Sequence, residues 1–219
     1  MNSLPGLLDQ ATFSQGVREL AERDADLATV VKRYGMPPLW VREPGFPSLV
    51  YIILEQQVSL ASAKAAFDRL NDAARPLTPG RFLKLSDGVL KRIGFSRQKT
   101  HYARLLAMEI QKRRLDLRAM HALPDDAARE RLLALKGIGP WTADIYLLSA
   151  LRRPDIWPVG DLALATAVQE VKRLRKRPSP ERLEKMSAPW RPWRAVAARL
   201  LWTYYRAVKG RDAAPVNPK

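Results

Sequence analysis

The chain has 219 residues and no cysteine, and its 38 Lys and Arg against 22 Asp and Glu give a formal net charge of +16. Because the chain has no thiol, four features are excluded: disulfides, thiolate zinc sites, a catalytic Cys and Cys-ligated iron–sulfur clusters. The two histidines also argue against a His-based metal site. A sequence pI of about 10.6 predicts a polyanionic partner, but charge alone does not distinguish nucleic acid from a ribosomal or membrane surface.

The start of the chain and its apolar runs predict where the protein works. MNSLPGLLDQ has no basic segment before a long apolar one, and no run approaches the roughly 18 apolar residues of a membrane span. We therefore expect a soluble cytoplasmic protein with no membrane partner, associated with the nucleoid if the source is prokaryotic. A hydrophobic content of 47% suffices for the core of one large domain or two small lobes.

Helical periodicity runs along nearly the whole chain, and no segment alternates as a strand does. From Pro47 the run SLVYIILEQQ is apolar as far as Glu55, which predicts a helix buried on all sides. A last helix is predicted from Pro192 to Val208. The predicted N-caps are Ser14, Asp24, Ser59, Thr78, Ser86 and Ser96, and the predicted stops are Gly35 and Gly94. The sequence thus predicts an all-α protein of about ten helices.

Residues 135–161, LKGIGPWTADIYLLSALRRPDIWPVGD, hold the most informative pattern. Gly137 and Gly139 separate two apolar helical runs, and glycine lets the backbone approach a ligand closely. Pro140 in the first turn of the next helix leaves outward N–H groups suited to phosphate. Asp161 follows a Pro-Val-Gly turn and opens another helix. This order predicts chemistry on nucleic acid.

The hairpin and the following acid resemble the helix-hairpin-helix DNA glycosylase superfamily. The similarity to its 3-methyladenine DNA glycosylase II branch runs from about Pro47 to Tyr205 and is carried by GIGPWTA (137–143), EQQVS (55–59), GFSRQKTHY (94–102) and WRPWR (190–194). Some members have an extra N-terminal β-rich domain. Here about 45 residues precede the first core helix and they read as helical, so we expect that domain to be lacking.

The resemblance implies an all-α fold of two helical lobes, with the helix-hairpin-helix motif and an active-site cleft between them. The central lobe would comprise residues 47–153 and end in the hairpin. The second lobe, comprising 1–46 plus 154–219, would carry the acid.

The function implied by the resemblance is that of a monofunctional glycosylase of base excision repair. It would hydrolyse the N-glycosidic bond of alkylated bases, such as 3-methyladenine and 7-methylguanine, flipped out of double-stranded DNA. No cofactor is implied, and we expect a monomer. Two alternatives stay open: a bifunctional glycosylase/lyase for oxidised bases and a non-catalytic helix-hairpin-helix DNA-binding protein. Lyase members carry a Lys where this chain has Trp141, which argues against the first.

Asp161 is the candidate catalytic residue. Cleavage of a glycosidic bond builds positive charge on the sugar, which a carboxylate stabilises while it orients or deprotonates the attacking water. The structural alternative is that Asp161 only caps the helix that follows it.

Trp141 and Trp193 are the candidate walls of the base pocket. An indole face attracts a cationic alkylated base, and for both residues the alternative is an ordinary core position. Ile145 and Leu162 stand where relatives can have Tyr, so the substrate range need not match theirs.

The residues assigned to DNA contact share the hairpin or the turn and helix starts near it: Gly137, Gly139, Pro140, Thr142, Gln57, Gln56, Arg97 and Lys99. By resemblance, Gln57 fills the gap left by the flipped base, with Gln56 in support, and hairpin carbonyls can hold a monovalent cation. The basic run 172–177 is a further candidate for phosphate contact, although charge runs are commonly solvated.

Overall fold

The computed structural model describes residues 6–210, whose regular elements are all helices, with no strand. The α-helices are α1 Gln10–Arg23, α2 Ala25–Tyr34, α3 Phe46–Glu55, α4 Leu60–Ala73, α5 Pro79–Leu83, α6 Asp87–Ile93, α7 Arg97–Gln111, α8 Asp125–Leu133, α9 Pro140–Ser149, α10 Leu162–Val171, α11 Pro180–Ser187 and α12 Arg194–Lys209. Short 3₁₀ helices span Ala119–Ala122 and Ala188–Trp190. The all-α prediction is confirmed. Within the described range no helix is both long and apolar enough to cross a membrane.

The described chain folds into two compact units. The first comprises residues 6–41 and 152–210, and the second comprises 42–151. The predicted second lobe also included residues 1–5 and 211–219, which lie outside the described residues. The sequence predicts helices in about the first 45 residues, and the described part of that segment contains α1 and α2.

In the second unit, α3 is the most deeply buried element, as its apolar run predicts. Phe46 and all residues from Ser48 to Glu55 are buried. Gly45 is the N-cap, and Pro47 lies in the first turn, where its missing N–H leaves no intrahelical bond unmade. The ring of Tyr51 stacks on Phe67 of α4 with centroids 4.5 Å apart. This stack holds α3 against α4.

In the first unit, the start of α1 differs from the prediction. Asp9, not Ser14, is the N-cap: its carboxylate accepts from Thr12 N at 2.8 Å, and the Thr12 hydroxyl accepts from Asp9 N at 2.9 Å, which completes a capping box. Ser14 lies inside the helix and donates to the carbonyl of Gln10 at 2.8 Å. The prediction was wrong because Ser14 can bond back within the helix as readily as it can cap one.

The last helix of the first unit, α12, begins at Arg194 rather than at Pro192. A 3₁₀ turn ends at Trp190 just before it. One face of α12 is apolar, since Val196, Ala197, Leu200 and Leu201 are buried. Tyr204 of the same face is only partly buried, and its hydroxyl donates to Glu170 Oε2 at 3.2 Å.

Candidate functional site

The hairpin between α8 and α9 places its two glycines in different conformations. Gly137 has φ +93°, which favours glycine, and an added Cβ would lie 2.1 Å from Cγ of Tyr102. Gly139 has φ −89°, and no heavy atom lies within 4 Å of the position a Cβ would take. Gly137 is therefore required by the fold itself, because the ring of Tyr102 packs against it. The fold places no such demand on Gly139.

The exposed side of the hairpin is the N-terminus of α9. Gly139 is the N-cap and brings no side chain, Pro140 opens the helix, and both are exposed. The first N–H groups of a helix and its dipole favour an anion there. Trp141 follows, partly exposed, whereas the Thr142 side chain is buried. Because Pro140 has no N–H, the geometry suits contact of phosphate with the backbone N–H of Gly139, while the Thr142 side chain faces the interior.

The two helices of the hairpin are joined by an ion pair. Asp144 of α9 is 2% exposed, and its Oδ1 accepts from Nε of Arg129 on α8 at 2.7 Å. A buried carboxylate is costly unless it is paired. The pair therefore helps to hold α8 and α9 in the arrangement that presents the hairpin.

Gln56 and Gln57 occupy the turn after α3 and differ in their surroundings. Gln56 is partly buried, and its Nε2 lies 3.1 Å from the carbonyl oxygen of Gly137 and 3.0 Å from the hydroxyl of Thr142. Gln57 is exposed and has φ +57°, an uncommon backbone conformation for a residue with a side chain. Gln57 is thus available to a ligand, while the amide of Gln56 bonds to the hairpin.

Arg97 and Lys99 were both predicted to reach phosphate. Arg97 is exposed in the first turn of α7, after the N-cap Ser96. Lys99 Nζ donates to the carbonyl oxygen of Leu54 at 2.7 Å, at the C-terminal end of α3 where a cation is favoured. Burial lowers the pKa of Lys99. The geometry therefore favours a structural role for Lys99 and leaves Arg97 as the surface candidate.

Asp161 lies in the first unit, after Gly160, whose φ of +82° makes the turn. Its Oδ1 accepts from Leu164 N at 2.8 Å and so caps α10. The indole Nε1 of Trp202 on α12 lies 3.4 Å from the same oxygen. Leu162, next along the chain, is 68% exposed. Asp161 thus caps the helix, as one interpretation of the sequence held, and it also lies beside an indole and an exposed apolar side chain.

Trp193, the second predicted pocket wall, is 2% exposed. Its Nε1 donates to Glu19 Oε2 at 2.7 Å, and its ring packs so closely on Gly16 that an added Cβ would lie 2.7 Å from it. Hydrogen bonding to Trp193 is the main cause that holds the pKa of Glu19 below its ordinary value. These contacts favour the alternative of a core residue.

In the basic run 172–177, the first residue is paired with carboxylates of the protein, and most of the others are exposed. Lys172 donates to the carboxylates of Asp24 and Asp26 at 2.6 and 2.9 Å. Arg173 and residues 175–177 are exposed. Lys172 is therefore committed to the packing of the first unit, and the surface charge comes from the residues after it.

Sequence reasoning missed two aromatic residues. Trp202 lies beside Asp161 and Tyr102 lies behind Gly137, yet both belong to ordinary helical runs. The only available signal was that Tyr102 ends the segment GFSRQKTHY (94–102). Which aromatic side chain of a helix approaches a site depends on packing between helices, which spacing does not reveal.

A metal site made from acidic and histidine side chains is not found in the part of the chain that the structure describes. Main-chain oxygens are a separate case. The carbonyl of Gly137 accepts from Gln56, and that of Gly139 accepts from Ala143 N at 3.0 Å. A carbonyl oxygen has two lone pairs, so each of these atoms keeps one for a further partner, and a monovalent cation at the hairpin carbonyls stays a prediction.

Comparison with known proteins identifies this arrangement. A family model described as "HhH-GPD superfamily base excision DNA repair protein" matches residues 50–192. A DNA-3-methyladenine glycosylase of Bacillus subtilis is 25% identical over 197 residues, which cover 84% of this chain and 65% of that relative. DNA-3-methyladenine glycosylase 1 of Schizosaccharomyces pombe is 29% identical over 184 residues, 81% of this chain and 78% of the relative.

Among solved structures, a 3-methyladenine DNA glycosylase of Schizosaccharomyces pombe in complex with abasic DNA superposes with a TM-score of 0.83 at 25% identity. The match covers 91% of this chain and 99% of that one.

Proposed function

Because the chain belongs to the HhH-GPD superfamily of base excision DNA repair proteins, we propose that it is a monofunctional glycosylase of alkylated bases in double-stranded DNA. The observation that carries the proposal is Asp161, a carboxylate fixed at the start of α10 beside the indole of Trp202. The names of the similar proteins, 3-methyladenine glycosylases, support the substrate class. We propose action as a monomer in the cytoplasm, on nucleoid DNA if the source is prokaryotic.

In the proposed reaction the bond between C1′ of the sugar and the ring nitrogen of the base breaks, and its electron pair leaves with the base. A base alkylated on a ring nitrogen carries a positive charge, so it departs neutral without a proton donor. Positive charge grows on the sugar, where Asp161 stabilises it. Water then attacks C1′, and its proton passes to Asp161 or to solvent.

The hairpin would hold the DNA backbone while this chemistry takes place. Gly139 and Pro140 offer an exposed helix N-terminus, which binds phosphate irrespective of base sequence. Trp141 follows in the same turn, where its indole would stack on a cationic base. Gln57 would fill the gap in the duplex. Trp141 also stands where lyase members carry Lys, so no amine is offered there for a Schiff base.

A panel of matched duplexes tests the substrate class. We expect the single-turnover release of 3-methyladenine and 7-methylguanine to be much faster than that of hypoxanthine or uracil, because neutral bases are poorer leaving groups. Trp141→Leu should lower the preference for cationic bases about tenfold, since the ring quadrupole is lost, and Trp141→Phe should lower it less.

Faster release of uracil than of 7-methylguanine would refute the substrate assignment. Trapping of the protein on abasic DNA by borohydride would favour the lyase alternative. Binding to DNA without release of any base would favour the non-catalytic alternative.

A further inference from the structure

Both N–H groups of the Gln56 amide are used within the protein. Gly137 O can only accept a hydrogen bond, so the amide nitrogen of Gln56 must face it, and the same nitrogen lies 3.0 Å from the hydroxyl of Thr142. The nitrogen has two hydrogens, one for each oxygen. Gln56 therefore ties the turn after α3 to the hairpin backbone and to the first turn of α9.

The next residue, Gln57, has the opposite character. It is exposed, and its φ of +57° costs an L-residue with a side chain on the order of 1 kcal/mol or more, so it persists only where the surroundings hold it. Val58 beside it is 46% exposed, and Ser59 then caps α4 by accepting from Ser62 N at 3.2 Å. The turn thus presents an amide and an apolar side chain at its tip, on a strained backbone.

The residues before Gln56 fix the root of this turn. Leu54 O accepts from Lys99 Nζ at 2.7 Å, and Glu55 pairs with Arg42 at 2.6 Å, both side chains of that pair being at most 4% exposed. Three consecutive residues of the α3 terminus are therefore each held by a different part of the second unit. The strained tip is supported from one side by this rigid base, and Gln56 supplies the link to the hairpin.

We propose that Gln56 is a positioning residue that fixes the distance between the gap-filling side chain of Gln57 and the phosphate-binding backbone of the hairpin. The inference rests on the proposed function. In a duplex, the distance from a flipped nucleotide to its neighbouring phosphate is set by the sugar–phosphate chain. A protein that grips the phosphate and fills the gap must match that distance, and a preorganised tip does so without ordering cost at binding.

The inference is tested with Gln56→Met, which keeps the length of the side chain and removes both donors, and with Gln56→Glu, which turns a carboxylate oxygen toward a carbonyl. The affinity for a duplex with an abasic-site analogue should fall about tenfold, since two hydrogen bonds at part-buried positions are lost. The affinity for undamaged duplex should stay within about twofold, because phosphate contact does not need the tip. With 2-aminopurine next to the abasic-site analogue, the fluorescence should report that a smaller fraction of the abasic nucleotide is flipped out of the duplex.

A second measurement shows whether Gln56 acts through Gln57. In a Gln57→Ala background, adding Gln56→Met should change the abasic-duplex affinity by less than about twofold, since the side chain being positioned is already gone. Gln15→Met is the matched control, because Gln15 on α1 donates its amide to Glu19 at 2.9 Å and lies in the first unit. It should leave both affinities and the fluorescence unchanged.

Equal losses of affinity for abasic and undamaged duplexes would overturn the inference, because Gln56 would then support the hairpin alone. Unchanged affinities in Gln56→Met, or additive losses in the double variant, would overturn it as well. A wild-type chain that releases no base and does not prefer abasic duplex would refute the proposed function and the inference with it.

Discussion

At the scale of single residues, Asp161 has a structural role as a helix cap and a proposed role in catalysis. Its Oδ1 accepts from Leu164 N, and the indole of Trp202 lies 3.4 Å from the same oxygen. The cap fixes where the carboxylate lies, and a fixed negative charge stabilises a transition state more than one that must reorient. Capping and catalysis are therefore compatible, and two substitutions can separate them.

We expect Asp161→Asn to lower the single-turnover rate of base release about 10²–10³-fold while leaving stability and duplex affinity nearly unchanged. Asn caps helices as well as Asp does, so the fold is kept and only the charge is lost. Asp161→Ala should lower the rate of base release by the same factor and should also lower the free energy of unfolding by about 1 kcal/mol, because the cap is lost. Urea unfolding and base-release time courses make the comparison. An Asn variant within about threefold of the wild-type rate would contradict the catalytic assignment.

The two hairpin glycines allow a similar separation of fold from binding. Gly139→Ala meets no atom within 4 Å and keeps an ordinary φ, so thermal stability should not change. The new methyl group lies where phosphate would approach, and we expect about a tenfold loss of affinity for duplexes of any sequence. Gly137→Ala should instead destabilise the protein, because its Cβ would overlap Tyr102.

Gly88→Ala is the control for this pair, since Gly88 is exposed on α6 and its Cβ would make only ordinary contacts. Unchanged DNA binding by Gly139→Ala would show that phosphate does not approach this part of the backbone. Loss of binding to one sequence context only would argue against a backbone clamp.

At the scale of elements, the end of α3 depends on a buried ion pair. Arg42 and Glu55 lie 2.6 Å apart, and the guanidinium also lies over the ring of Tyr51 at 4.6 Å. Burial raises the pKa of Glu55 above its ordinary value, and Arg42 opposes this by charge and by hydrogen bonding. Removal of either partner would leave a charge without compensation in the interior.

Arg42→Met should therefore lower the free energy of unfolding at neutral pH by about 3–5 kcal/mol. The pKa of Glu55 would then rise further, since only burial acts on it. A carboxyl group with a raised pKa in the folded state destabilises the fold as pH rises through that pKa, so the deficit should shrink as pH falls. Urea unfolding at pH 7.5 and 5.5 measures this. Arg42→Met combined with Glu55→Leu should recover most of the loss, and a deficit independent of pH would refute the explanation.

The sequence predicts a helix correctly where a single feature of the sequence decides its burial or its start. The buried α3 follows from an uninterrupted apolar run, and Asp161 as a helix start follows from the turn before it. Ser14 was mistaken for a cap because a serine can equally bond back within a helix, as Ser14 does, and Asp9 is the residue that caps α1. Trp193 and Trp202 were not distinguishable in sequence, since both lie in or next to α12 and only packing decides which one meets Asp161.

At the scale of the whole molecule, the net charge of +16 predicts a strong dependence of DNA binding on salt. Cations that contact phosphate release counterions, so the logarithm of affinity falls with the logarithm of salt concentration in proportion to the number of contacts. Cations paired within the protein contribute less. Lys172, bonded to Asp24 and Asp26, belongs to this second class, whereas Arg175, Lys176 and Arg177 are exposed.

We therefore expect the loop between α10 and α11 to contribute to the salt dependence and Lys172 not to do so. Replacement of all three residues 175–177 by Gln should reduce the slope of the logarithm of affinity against the logarithm of salt concentration by about 2. The slope is measured by fluorescence anisotropy on undamaged duplex between roughly 50 and 200 mM salt, the range over which phosphate contacts change affinity strongly. The control for net charge is the exposed run 112–114 after α7, also three cations, of which Arg114 is paired with Glu109. Its replacement by Gln removes the same net charge, so it should alter steering at long range and change the slope less. Equal changes in the two variants would mean that the loop acts only through net charge, and an unchanged slope would remove it from the DNA-binding surface.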